Sequence, residues 1–237
     1  MGWFHACALA LLATGCDQIL GLRQLSTGGD AAGGDALSDG AGSADAIGSG
    51  TVTLVAVADT YIDSQFRGNN YGIAPLLSFG QSPGSGDTPL VAFDLSSIAS
   101  TAAVASAHVD LYIASGNNSH QVAFYEVLVP WIEGGQDGAS GVANWTQATK
   151  FIDWGAQGAS GAGDRGTTVL ASFVSGVAGP LRVDLNSFGV AAVARWIADP
   201  STNHGILVGA AGYTAFQLAS REDPDPSHRP QLVVVLN

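Results

Sequence analysis

The sequence predicts an all-β fold, a two-sheet antiparallel β-sandwich with one short helix, and three observations predict it. Apolar residues recur at every second position between turn signals, Gly, Val and Ala are abundant while Lys occurs once at Lys150, and a single segment carries helical spacing. The alternation is plainest in ASAHVDLYIA. Ala107, Val109, Leu111 and Ile113 fall on one face, with Ser106, His108, Asp110 and Tyr112 on the other, as the two-residue repeat of a strand requires. The first set faces the core. The same pattern places strands at 52–58, 76–79, 90–95, 121–127, 169–174, 181–185, 205–210, 214–220 and 231–236. The exception is NSFGVAAVARWIADP, where Phe188, Val193, Trp196 and Ile197 stand near helical spacing. Asn186 or Ser187 serves as cap and Pro200 lies beyond the end, so a helix is expected over 187–198.

Ahead of that domain the chain is of another kind. Its two cysteines are Cys7 and Cys16. Residues 6–12, ACALALL, form an apolar run of signal-peptide length, too short to span a bilayer. Ala13, Thr14 and Gly15 then precede Cys16. This arrangement resembles the lipobox of bacterial lipoproteins, in which the thiol is lipidated and the chain is cut just before it. The resemblance implies a signal peptide over 1–15 and Cys16 as a lipidated N-terminus. The alternative is a buried N-terminal helix with an inert thiol. Residues 26–50 are almost wholly Gly, Ala, Ser and Asp, with no aromatic residue, Lys or Arg, and cannot bury a core. A Gly/Ser-rich coil of that length reaches about 25–30 Å. Residues 16–50 thus read as anchor and flexible linker, and 51–237 as one domain with a sizeable core. The expected location is a bacterial cell envelope, after export, with the membrane reached through the lipid anchor.

Within the domain a series of short motifs runs in order: ADTYID (58–63), NYG (70–72), FDLSSI (93–98), VASAHVDLYI (104–113), WIEGG (131–135), NW with FIDWGAQGA (144–159), VDLNSFGVAAVARWI (183–197), HGILV (204–208) and FQLASREDPDPSHRPQLVVV (216–235). Taken together they resemble the DNRLRE-type domains, related to archaeal disaggregatase repeats and to polysaccharide-binding modules with a jelly-roll sandwich. The resemblance implies a jelly-roll-like fold and a non-catalytic, polysaccharide-binding role. Members of the family often carry Arg near the strand ending in FDLS. Here DTPLVAFDLS holds no basic residue, which points away from acidic sugars.

The reactive residues agree with a non-enzyme. No HExxH, GxSxG or phosphate-binding loop occurs. Glu133 with Asp137, and Glu222 with Asp223, are carboxylate pairs of the kind glycoside chemistry uses, but their Gly- and Asp-rich settings fit solvated turns better. A formal net charge of -12 with only eight basic residues excludes nucleic acid, whose affinity comes from neutralising phosphates. It also disfavours anionic polysaccharides and leaves neutral glycans.

Sugar binding needs aromatic planes beside hydrogen-bonding groups, and two regions offer both. The loop SQFRGNNYG gathers Phe66, Arg67, Asn69, Asn70 and Tyr71, with a backbone-shaping turn as the alternative. The polar strand face offers His108, Asp110 and Tyr112, with an ordinary solvent face as the alternative. Trp131, Trp145 and Trp154 lie in the framework motifs and are expected to pack under a long loop. Asp59, Glu222 and Asp223 form a candidate site for structural Ca2+, if the terminal strands lie together. An Arg221–Asp59 ion pair is the alternative. The function expected is a non-catalytic, surface-tethered carbohydrate-binding module, and the alternative a structural or adhesive envelope lipoprotein with a protein partner.

Overall fold

A computed structural model describes residues 46–82, 85–116, 121–210 and 214–237. Cys16, the expected signal peptide over 1–15 and the expected linker as far as residue 45 lie outside the described residues. In chain order the strands are β1 (Gly50–Asp63), β2 (Asn69–Asn70), β3 (Leu76–Ser82), β4 (Ser85–Phe93), β5 (Val104–Gly116), β6 (Gln121–Glu126), β7 (Ala139–Ser140), β8 (Gln147–Thr149), β9 (Ile152–Asp153), β10 (Ala171–Val174), β11 (Gly179–Asp184), β12 (Ile206–Ala210), β13 (Thr214–Ala219) and β14 (Gln231–Leu236). The helix α1 (Ser187–Ala198) lies between β11 and β12. The class is all-β with one helix, and every expected strand overlaps an observed one.

All strand pairings within the main sheet are antiparallel. Six strands close on themselves in the order β1-β14-β5-β13-β3-β4 and back to β1, while β12-β6-β10 continue from β4 and β11 flanks β5. The closure depends on β1, whose first half pairs with β14 and whose second half pairs with β4. The register shifts between Ala56 and Ala58, where it changes partner. An extra residue there bends the strand and raises its twist, the device by which a strand passes from one sheet of a sandwich to the other.

Two boundaries differ from expectation for local reasons. β1 runs past residue 58 to Asp63, because Asp59, Thr60 and Asp63 are buried polar residues that break the apolar alternation while the backbone stays extended. β4 ends at Phe93 instead of 95, since the Asp94 carboxylate accepts the Ser96 N–H (2.9 Å) and starts a turn. The chain also joins the fold before residue 50: Ile47 N–H donates to Ser97 O (2.8 Å).

The helix has the expected limits, and Asn186 caps it by accepting the Phe188 and Gly189 N–H groups at 2.9 and 3.0 Å. Its buried stripe is Gly189, Ala192, Val193, Trp196 and Ile197. Phe188, expected on that stripe, is 62% exposed. Gly189 explains this: a Cβ there would stand 2.6 Å from Leu170 O, so the helix meets the sheet at the glycine and turns the neighbouring Phe188 outward.

The main core joins Val52, Val109, Leu111, Phe124, Phe216 and Val234 to the helix stripe. A second cluster gathers Ile62, Leu90 and Leu207 under Trp154, Ala143, Ala148 and Ala159, with Trp131 and Trp145 against it. The three tryptophans therefore pack, as their framework motifs predict. Trp154 Nε1–H donates to Asn144 O and Trp131 Nε1–H to His204 O, both at 2.8 Å. Gly158 lies flat on Trp145, where any Cβ would come within 2.5 Å of the ring.

Candidate functional site

In the loop after β1 the structure separates framework from surface. Asn70 is fully buried. Its amide donates to Glu133 O (2.7 Å) and Ala143 O (2.9 Å), and its Oδ1 accepts the N–H groups of Gly72 (3.2 Å) and Gln136 (3.0 Å). Asn69 donates to Gly138 O (2.8 Å). Tyr71 is buried, stacked on Tyr61 with ring centroids 4.1 Å apart, and its hydroxyl donates to Asp63 Oδ2 (3.2 Å). Phe66 and Arg67 project to solvent beside the exposed Gln65, with Arg67 Nε–H donating to Ser64 O (3.2 Å). Tyr71 is thus no open platform, because both its ring and its hydroxyl are taken.

The strand face on β5 is likewise more enclosed than alternation suggests. β5 is flanked by β14 on one edge and β11 on the other. His108 is buried, with Nε2 3.5 Å from Asp110 Oδ2. Tyr112 stacks on His228 at 3.6 Å between centroids, and His228 lies 3.5 Å from Asp223 and 3.6 Å from Asp225. One face of the Tyr112 ring is covered.

What the fold opens instead is a cleft of about 480 Å³ where β3, β13, β4 and β5 meet, lined by Ser78, Gly80, Asp87, Ser115, Gly116 and Gln217 over Phe79 and Phe216. That volume suits a small ligand. Ser115 Oγ donates to Gln217 Oε1 (2.9 Å), and Gln217 Nε2 reaches Ser78 Oγ at 3.5 Å. The Tyr61 hydroxyl lies toward Ser78, and burial drives its pKa above its usual value. Asp87 stands opposite Asp63 across β4 and β1. Burial pushes its carboxyl up to about 6, helped by repulsion from and hydrogen bonding to Asp63. The result is a row of hydroxyl, amide and carboxyl groups on a glycine floor, with no Lys, Arg or His among the lining residues.

The expected ligand residues Arg67, Asn69, Tyr71, His108, Asp110 and Tyr112 do not line this cleft. Tyr71 stands behind it, touching Tyr61 and Asp63, which in turn touch Ser78 and Asp87. The missed residues carried a signal in alternation. In LLSFGQS and TAFQLA, Leu77, Phe79, Phe216 and Leu218 point to the core, so Ser78, Gly80 and Gln217 must point the other way.

The acidic candidates divide. Asp59, Glu133 and Glu222 bring carboxylate oxygens within 4.8 Å of one another. Asp223 stands apart from them: its Oδ1 accepts the Asp225 N–H (2.8 Å) and faces His228. Glu133 takes its place because the loop after β6 folds back onto β1, with Asp59 N–H donating to Glu133 Oε1 (2.8 Å). Arg221 reaches Asp59 through its backbone, the N–H donating to Oδ2 at 2.7 Å, while its guanidinium bonds Glu133 and Glu222. Burial pushes the Asp59 carboxyl up to about 8 against the Arg221 N–H bond, with Glu222 and Glu133 adding repulsion.

Among the described residues no helix is long and apolar enough to cross a membrane. No curated protein matches the chain. The model of Carbohydrate-binding module family 96 matches residues 50–135, a stretch that holds β1 to β6 and with them Ser78, Asp87 and Ser115 of the cleft.

Proposed function

We propose that this protein is a non-catalytic carbohydrate-binding module that takes a neutral glycan in the cleft between β3, β13, β4 and β5. The observation that carries the reading is the lining itself: hydroxyls, an amide and a carboxyl beside glycines, three of these polar residues falling in the matched stretch. Sugar hydroxyls are donors and acceptors at once and pair with such groups. With Asp87 present and no cation among the lining residues, an anionic sugar would meet repulsion. The DNRLRE-like motifs running on to residue 235 support reading the rest of the domain as the same jelly-roll-like module, and Gln217 comes from that part.

The test is a neutral-glycan library on the full chain, followed by titration of the best binder. Gly80→Val should abolish binding at unchanged Tm, since a Cβ at Gly80 meets only Asp87 Oδ2, at 3.7 Å, and the remaining methyls fill the cleft. Gln217→Ala should weaken it about 3- to 10-fold, the worth of one hydrogen bond. Binding unchanged in Gly80→Val, or a protein partner captured with no glycan bound, would overturn the reading.

The same proposal includes the anchor. Cys16 carries lipid and residues 26–45 hold the module away from the cell envelope, supported by the apolar run 6–12 and the composition of the linker; residues 46–50, expected in the linker, belong to the fold. Cys16→Ser should abolish fatty-acid labelling and release the protein from the membrane fraction.

A further inference from the structure

Asp59 is 1% exposed, yet its Oδ1 has no hydrogen-bond partner. Such an atom costs stability unless something binds it. Its other oxygen is already taken by the Arg221 N–H. Around it stand Glu133 and Glu222, each partly buried, with carboxylate oxygens of all three residues within 4.8 Å of one another. One cationic side chain faces these three carboxylates. The Arg221 guanidinium spans both glutamates through Nη1 at 3.2–3.3 Å, and it is the most exposed of the four side chains. Three carboxyl groups thus crowd against one cation in a place mostly removed from water, and a bound cation would have to displace the proton that burial favours on Asp59.

We propose that Asp59, Glu133 and Glu222 form a calcium site. Asp59 Oδ1 supplies its buried ligand, and the glutamates supply the rest with water. All donors are oxygen, which selects a hard cation. Oxygens that lie within 4.8 Å of one another can all reach one ion at about 2.4 Å, the calcium distance. Arg221 holds the two glutamates in its absence and swings to solvent when the ion enters. The ion would tie β1, the loop after β6 and the turn before β14, three segments far apart in sequence.

Equilibrium dialysis of the full chain against calcium chloride tests this, with Tm measured in calcium and in EDTA. The expected result is about one ion per chain with a Kd on the order of 0.1–1 mM and a Tm higher in calcium by about 5 °C. Asp59→Asn and Glu133→Gln should each weaken binding tenfold or more, whereas Asp223→Asn leaves it unchanged. Arg221→Gln should bind several-fold more tightly, because it removes the competing cation, and a merely structural ion pair would not produce that gain. No saturable binding up to about 10 mM, well above that range, would overturn the proposal. So would weaker binding in folded Arg221→Gln. None of these measurements involves a glycan, so the site and the cleft stand or fall separately.

Discussion

Asn70 shows how one side chain can hold a loop in place of secondary structure. Two carbonyls and two N–H groups, from Gly72, Glu133, Gln136 and Ala143, are satisfied by a single amide with no exposed surface. Asn70→Ala should therefore cost about 3–5 kcal/mol, since each orphaned buried group costs about 1–3. Asn70→Asp should fail as well, because it sets a carboxylate against two carbonyl oxygens; urea denaturation of both measures this. Asp87 gives a pH prediction. Its folded pKa is raised from 3.8 to about 6 by burial and by Asp63, so the folded state binds this proton more tightly than the unfolded state. The stability it contributes is fully present below 3.8 and lost as the pH rises through about 6. Melting curves across that window should show Asp87→Asn gaining on the wild type as the pH rises. A difference in Tm that is independent of pH would contradict the assignment.

At the scale of elements, the cleft exists because two glycines on the strands either side of β13 take different roles. Gly80 on β3 leaves open space above the sheet, whereas Gly116 at the end of β5 lets another segment come close: a Cβ there would meet Gly176 O at 2.6 Å and Phe216 Cβ at 3.1 Å. Gly116→Ala should accordingly lower stability by about 1–3 kcal/mol through overpacking, while Gly80→Ala leaves it nearly unchanged. Paired thermal melts of the two variants distinguish these roles. The long connection between β6 and β10 packs over the second core, held by the buried Trp154 and the half-buried Trp131, whose indole N–H groups bond to backbone carbonyls. Its short strands β7, β8 and β9 pair with β2 or with each other, not with the main sheet.

For the whole domain the consequence of β1 crossing from β14 to β4 is cooperativity. Neither half of the sandwich has its full complement of hydrogen bonds without that strand, and Ile62, near its end, belongs to the second core under the long loop. Residues 46–237 should melt in one transition with the near-native Tm of the full chain. Trp154→Ala, which empties part of the second core, should lower that same transition by about 3–5 kcal/mol. On a domain of this size that is roughly 10 °C. Calorimetry resolving two transitions would show instead that the long connection between β6 and β10 unfolds on its own.

The β class, the ten principal strands, the helix with a cap at Asn186 or Ser187 and the packing of the tryptophans followed from the sequence, and the structure chose Asn186. The strands and the helix rest on local periodicity and on capping chemistry that neighbouring residues set by themselves, and the tryptophans on motifs that resemble the DNRLRE-type domains. Asp59 and Glu222 as partners were legible from the same strand order. Tertiary structure alone decided that Glu133 replaces Asp223 beside them, since contact between β1 and a loop 74 residues away leaves no periodic trace. It also decided that Tyr61 stacks on the buried Tyr71 and that His228 covers one face of Tyr112. Alternation tells which way a side chain points, but not what another segment lays over it. The cleft belongs to the same class, because Ser78, Asp87, Ser115 and Gln217 come together only where four strands meet at the closure of the sheet.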